Sequence, residues 1–329
     1  LNAKDYLYYG RLGNLNSGIA LATANATRGM GVPANRADSA SFDIRQYDPA
    51  INGNLLSMGW DTVTEPYGGT LIFKDHSGEV EDLVFRNTYT QEHYVSVMGG
   101  NDRGKYFAGF DYFKEDGIIV GSGYKRYSGD FNGSYKIRPN LEISSGVNLS
   151  NSSQLGVNGS EVNNLYRNLS IWPTFNPWLD SAKTKPNPGN GINDGNPLYW
   201  LNKTVRNNDV SRMTFNAAVK WDFLPGLYFR GTASGYLVDS TLESFTKATQ
   251  SYAQLFSVPQ GFNTTRPASY LSQRDFQQTF NGIINYTKSF GNHNLSAMVG
   301  AEYYKIKRRL AQLSGTNAPT DDIPTVNAS

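Results

Sequence analysis

Few side chains in this sequence have the types and spacing that catalysis or metal binding requires. The three histidines, His76, His93 and His293, stand far apart, and the chain has no cysteine that could complete a zinc site. Asp321-Asp322 and the stretch "GINDGN" (191–196) lack the spacing of a calcium loop. The stretch "GGNDRG" lacks the Lys-Ser/Thr of a phosphate-binding loop. We therefore predict no catalytic residue, no metal site, no cofactor and no enzymatic activity.

The strongest candidates for ligand or partner binding are aromatic residues in the segment 151–211. Exposed aromatic rings stack on sugar rings or grip peptide side chains, because immobilising their large surface costs little side-chain entropy. The alternative is that these rings pack a small core within the segment or contact a covering partner. The predicted contact residues are Trp172, Phe175, Trp178, Tyr199 and Trp200.

The segment that carries these rings follows a stretch of alternating apolar and polar residues. In "NLEISSGVNLS" (140–150), Leu141, Ile143 and Val147 fall on one face of a strand. Glu142 and Ser144 fall on the opposite face. In a soluble sandwich this pattern places a protein core on one side and water on the other. In an outer-membrane barrel it places lipid outside and an aqueous lumen inside.

The lengths of the connections between such segments distinguish the two architectures. The same alternation recurs at 94–100, 106–113, 124–137, 212–223, 227–238, 275–288 and 294–307. The connections are alternately short and long, as in outer-membrane barrels, whereas sandwiches seldom separate their turns by length. Some apolar faces also end in aromatic residues, as with Trp221 and Phe223, which is typical of the girdles at a membrane interface. We predict an all-β fold, an antiparallel transmembrane barrel with long extracellular loops, whose apolar faces contact outer-membrane lipid.

The composition agrees with this fold. No apolar run approaches the ~20 residues that a membrane helix requires, whereas a barrel strand needs only ~9–11 alternating residues. Aromatic residues make up 13% of the chain, and the mean hydropathy is -0.49. The net charge of +2 gives no reason to expect binding to nucleic acid.

The connection lengths also assign an orientation and a division of the chain. The turns 101–105, 138–140, 224–226 and 289–293 are predicted to face the periplasm. The segments 114–123, 151–211, 239–274 and 308 onward are predicted to face the outside. We predict that 1–93 is a connector that packs outside or within the barrel, that 94–307 supplies barrel strands and that 308–329 begins an extracellular loop. Within 1–93, a helix capped by Asn2 is expected, followed by an irregular stretch over 35–85.

Several motifs resemble those of a known family. They are Val95-Ser96 followed by Gly99-Gly100 and Tyr106-Phe107, then the loop Asp116 to Ile119, then the strand residues Tyr124, Arg126 and Tyr127. As a set they resemble the first barrel hairpins of SusC/RagA-type TonB-dependent transporters from the outer membranes of Bacteroidota. The stretches "DGNPLYWLNKT", "LPGLYFRGTAS" and "NHNLSAMVGAEYYK" also fit, so the resemblance covers nearly the whole chain. The opening "LNAKDYL" resembles the segment that follows the family's plug domain, which implies that 1–93 connects a plug to the barrel.

The resemblance implies a function and partners. The sequence shows no match to the family's plug domain or to the aromatic-ended final strand, so the chain is expected to supply about eight strands of a plugged barrel of about 22. Members of the family import oligosaccharides or peptides under a SusD-like lipoprotein, and TonB acts on them through the plug region.

Two alternatives remain open at this point. The chain could belong to a SusC-like structural or assembly subunit of a larger outer-membrane complex. It could instead be a soluble carbohydrate-binding β-protein, in which case its apolar faces would be covered by protein.

Overall fold

The structure, a computed structural model, describes residues 1–27, 29–32, 42–156, 165–169, 171–189, 195–252 and 259–326. At residues 251, 252 and 259–261 it describes the backbone alone. Residues 191–194 of "GINDGN" therefore lie outside the described residues. None of the helices in the described ranges has the length and apolarity that a membrane span needs.

The first part of the chain forms a small packed body, which we call the N-terminal unit (the described residues of 1–85). Helix α1 (Ala3–Asn16) begins at Asn2, whose side chain accepts a hydrogen bond from the backbone N–H of Asp5, as predicted. The other helices are α2 (Leu21–Asn25), α3 (Pro49–Asn52), a 3-10 helix (Gly53–Met58) and α4 (Glu79–Val84). Strands β1 (Ile44–Gln46), β2 (Asp61–Thr64) and β3 (Thr70–Phe73) form a sheet in the order β1-β3-β2.

The prediction of an irregular stretch over 35–85 is wrong for residues 42–85. These strands are only three or four residues long, too short for a period of two to be recognised in the sequence. Their side chains nevertheless build a core with α1, in which Leu7, Ile44 and Leu71 are fully buried.

The rest of the chain is dominated by one antiparallel sheet of eight strands. The eight strands lie side by side in their order along the chain. Its strands are β4 (Thr90–Gly100), β5 (Gly104–Asp116), β6 (Gly123–Arg138), β7 (Leu141–Leu155), β8 (Thr204–Leu224), β9 (Leu227–Thr246), β12 (Ala268–Phe290) and β13 (His293–Gly315). The sheet is open in the described chain, with β4 at one edge and β13 at the other.

The turns at one end of the sheet are short, as predicted. They span 101–103, 139–140, 225–226 and 291–292. Gly226 and Gly291 have φ values of +79° and +57°, in the left-handed region that glycine adopts without the steric penalty of a Cβ. These two glycines permit the tight β8–β9 and β12–β13 reversals.

The opposite end carries the long connections, which are shorter than predicted because the strands run further. The β7–β8 connection is 156–203; it contains a helical stretch at 165–169 and helix α5 (Pro197–Leu201). The β9–β12 connection contains the hairpin β10 (Thr249–Tyr252) and β11 (Pro259–Asn263). Strand β13 continues to Gly315, so residues 308–315 pair with β12 instead of beginning a loop.

Candidate functional site

Strand register brings the predicted apolar residues together on one side of the large sheet. Val147 on β7 lies between Phe131 on β6 and Phe215 on β8. The same row continues through β5 and β4 at Ala108 and Val97. We call this side of the sheet the apolar face. Every second residue of each strand belongs to it, including Leu237 on β9, Phe280 on β12 and Tyr303 on β13.

In the described ranges of the chain, no second protein layer covers the apolar face. Val95 is 65% exposed, Phe131 51% and Trp221 47%. In a sandwich, the residues on the inner faces of both sheets interdigitate to form a buried core. The apolar side chains of this sheet lack that burial, so a soluble sandwich does not fit the fold.

The opposite side, the polar face, carries charges that pair with one another. Arg126 donates to Asp111 at 2.8 Å, and its guanidinium lies 3.8 Å from Glu92. Lys220 lies 3.7 Å from Asp222. Asp130 accepts a hydrogen bond from Asn148. Arg126 and Lys220 therefore each pair with a carboxylate on the same face.

Two of the predicted contact residues, Trp172 and Phe175, attach the β7–β8 connection to the N-terminal unit. The Phe175 ring lies 6.0 Å from that of Phe42 and is 1% exposed. The Trp172 ring lies 5.6 Å from Phe42, also edge-on. Offset and edge-to-face aromatic pairs stabilise beyond the area that they bury. Phe175 belongs to the same core as Leu7 and Ile44 of the N-terminal unit.

Backbone hydrogen bonds strengthen this attachment. The Asp43 N–H donates to Thr174 O at 2.9 Å, and the His76 N–H donates to Pro173 O at 2.8 Å. The Thr174 hydroxyl donates to Gly29 O at 2.7 Å. The Asp43 carboxylate lies 2.8 Å from His76 Nε2. Residues 173–175 are therefore fixed to the N-terminal unit.

Trp178, Tyr199 and Trp200 form a second group within the long connections. The indole N–H of Trp200 donates to Pro188 O at 3.1 Å, and its ring meets that of Tyr199 edge-on at 5.1 Å. The Tyr199 hydroxyl accepts from the Gln250 backbone N–H at 2.8 Å. Trp178 forms an isolated β-bridge with Pro186. All three rings are half-buried, and Tyr199 joins the β7–β8 connection to the β9–β12 connection.

Charged residues lie beside Tyr199. Lys203 Nζ lies 4.9 Å from the centre of the Tyr199 ring. Burial lowers the pKa of Lys203. The Asp321 carboxylate raises this pKa, and the nearby Lys247 lowers it further. Asp321 itself is held by Arg266, whose Nε lies 2.6 Å from Oδ1. The residues after β13 are therefore anchored beside the ends of β9 and β12.

Sequence reasoning missed the buried polar residues that hold these regions in place. Arg11 is fully buried beside Glu65 and donates to Met30 O at 2.9 Å. The sequence could have predicted the burial of Arg11, because Arg11 lies four residues after Leu7 and therefore on the same buried side of α1. Asn196, also fully buried, caps α5 by accepting from the Leu198 N–H at 2.9 Å. The Asn-Pro pair at 196–197 is a helix-start signal that could have predicted this cap.

Comparison with known proteins supports the resemblance. No family model matches the chain. A curated relative, the TonB-dependent receptor P3 of Formosa agariphila, is 22% identical over 272 residues, which is 80% of this chain and 26% of the relative. The chain thus spans about a quarter of the length of that relative.

Solved structures show the same architecture. The RagAB peptide transporter superposes with a TM-score of 0.59 at 17% identity, over 77% of this chain and 28% of the solved chain. The RagAB peptide importer in its closed-closed state gives a TM-score of 0.60 over 78% of this chain. The chain has the fold of one part of a SusC/RagA-type TonB-dependent barrel, and its curated relative is a TonB-dependent receptor.

Proposed function

We propose that this chain forms part of the membrane barrel of a TonB-dependent outer-membrane transporter of the SusC/RagA type. The observation that carries the proposal is the exposed apolar face of an antiparallel sheet whose short turns lie at one end and long connections at the other. Lipid covers such a face in a transmembrane barrel, and the polar face then lines an aqueous lumen. The paired charges on the polar face agree with this assignment.

The end with the long connections is the outer, substrate-capturing end in this proposal. The N-terminal unit packs there, because Phe175 and Thr174 of the β7–β8 connection bind it. Transport requires substrate to pass from this end through the lumen, with TonB acting through a plug. We propose an oligosaccharide or peptide substrate; the peptide transport named for the RagAB structures favours peptides as the first class to test.

Within this end, we propose that the five aromatic residues serve substrate or lid binding in two ways. Trp178, Tyr199 and Trp200 keep part of their rings exposed and are suited to contact a substrate or a SusD-like lipoprotein. Trp172 and Phe175 act by holding the connection against the N-terminal unit. Alanine at Trp178 or Trp200 should lower lipoprotein association and uptake at normal surface levels. Unchanged association and uptake would leave these rings with a purely structural role.

A charge-insertion experiment tests the membrane assignment. Arginine at Val147 or Val219 on the apolar face should cost ~2–4 kcal/mol where the site lies near the bilayer midplane. Arginine at Ser144 or Asn216 on the polar face is the matched control and should allow nearly normal folding. Refolding yield into lipid and heat-modifiable gel mobility report the result. Equal damage from both pairs would overturn the assignment of the two faces.

A further inference from the structure

Basic residues on β13 differ in their partners according to the face on which they lie. On the polar face, Arg308 pairs with Asp275 at two points, Nε to Oδ1 at 2.9 Å and Nη2 to Oδ2 at 2.9 Å. On the other side, Lys305, Lys307 and Arg309 occupy alternate positions and are exposed. None of these three has a carboxylate within salt-bridge distance in the described ranges of the chain. We call Lys305, Lys307 and Arg309 the basic strip.

The basic strip begins where the apolar part of β13 ends. From Leu295 to Tyr303, every second residue on this face is apolar, a span close to the ~9–11 residues of a transmembrane strand. Lys305 is the next residue on the same face, toward the end with the long connections. The strip therefore lies at the level where an apolar band gives way to a polar medium.

The paired strand β12 does not neutralise the strip. Lys307 lies opposite Phe276, and Arg309 lies opposite Arg274. Arg274 already binds Asp239, with Nη2 at 2.6 Å from Oδ2. Like charges directly opposite each other on paired strands destabilise a sheet unless an anion offsets them. Asp239 is thus occupied by Arg274, and Arg309 faces a second cation across the strand pair.

We infer that the basic strip binds the phosphate groups of anionic lipids at the membrane surface. The inference rests on the proposed function, because it requires the apolar face to lie in a bilayer. Arginine and lysine form charge-assisted hydrogen bonds with phosphate oxygens. Each basic residue beside an anionic leaflet strengthens binding by roughly fivefold, the equivalent of about 1 kcal/mol. Three such residues in a row are suited to lipids that carry more than one phosphate or that gather at this strand.

The test compares two triple variants of the intact protein in nanodiscs of phosphatidylcholine with and without phosphatidylglycerol. The first variant combines K305Q, K307Q and R309Q. The matched control combines K105Q, K136Q and R230Q, which removes the same charge from exposed positions on the polar face near the short turns. Native mass spectrometry measures the anionic lipid retained by each protein, and thermal unfolding measures stability in each lipid.

We expect the first variant to bind phosphatidylglycerol about 100-fold more weakly, roughly fivefold for each residue removed, and the control to match the unaltered protein. Equal retention by all three proteins, with normal insertion, would overturn the lipid site and leave the membrane proposal standing. A first variant that loses the same stability in both lipids would show that the strip pairs with a protein carboxylate, which also overturns the inference. Failure of the unaltered protein to insert would overturn both proposals.

Discussion

Apolar side chains are buried in the strands of the N-terminal unit, whereas similar side chains are exposed on the eight-stranded sheet. In β3, Leu71 and Ile72 are 0% exposed and Phe73 is 2% exposed. In β7, an interior strand of the large sheet, Ile143 and Leu149 are 42% and 49% exposed. All five are apolar residues in antiparallel strands. The difference is that protein covers both faces of the small sheet, whereas none of the described residues forms a layer over the apolar face of the large sheet.

Charged residues show the same contrast. The side chains of Arg11 and Glu65 are 0% and 3% exposed, so their ion pair is enclosed by the N-terminal unit. The Arg308 side chain on the large sheet is 63% exposed and meets Asp275 at the surface of the polar face. The N-terminal unit is therefore stabilised by its own core, whereas the large sheet depends on its backbone ladders and on the medium that covers its apolar face.

The largest effect on this comparison should come from breaking the enclosed ion pair. Glu65→Ala leaves the Arg11 guanidinium buried without its carboxylate, which should cost about 3–5 kcal/mol. Thermal or denaturant unfolding followed by a probe in the N-terminal unit measures the loss. Asp61→Ala is the matched control, because its partner Lys4, at 3.2 Å, is exposed and such surface pairs contribute little. Equal losses from the two variants would mean that burial does not determine the strength of these pairs.

A second test concerns the join between the N-terminal unit and the β7–β8 connection. Phe175→Ala removes a ring that is 1% exposed and should cost about 3–5 kcal/mol, because a cavity remains in the core. The connection should then become sensitive to proteolysis at the same time as the N-terminal unit. Leu179→Ala, at a position that is 37% exposed in the same connection, should have little effect. Proteolysis of one region without the other would show that they are not joined through Phe175.

The large sheet could be predicted from the sequence and the N-terminal unit largely could not. Period-two alternation in "NLEISSGVNLS" is a local signal, and register then aligns Ile143 with Val219 and Val147 with Phe215 without further information. The N-terminal unit depends on contacts between distant residues, such as Phe42 with Phe175, that no local pattern encodes. The five aromatic residues were predicted as one group. The structure divides them, because two rings meet the N-terminal unit and three remain in the long connections.

The smallest expected effect concerns an exposed carboxylate that stabilises the connection locally. Hydrogen bonds from the Thr184 hydroxyl and the backbone N–H groups of Lys185 and Thr184 lower the pKa of Asp180 below 3.8. Because the pKa of Asp180 is lower in the folded loop, its ionised carboxylate stabilises the loop at pH values above the pKa of the unfolded chain. This stabilisation is lost as the pH falls through the pKa of the folded state. Asp180→Asn should therefore speed amide exchange at Thr184 and Lys185 at neutral pH. The difference from the unaltered protein should vanish in acid; a difference that persists there would contradict this account.

The most direct measurement of the central claim uses the absence of cysteine from the chain. Single cysteines at successive positions of β7 from Leu141 to Ser150 can each carry a spin label in the protein reconstituted in lipid. Oxygen, which partitions into the bilayer, and a water-soluble nickel complex then report the surroundings of each label. We expect oxygen accessibility to peak at Ile143, Val147 and Leu149, and nickel accessibility to peak at Ser144 and Asn148. Accessibility that does not alternate, or alternates in the opposite phase, would contradict the assignment of the apolar face to lipid.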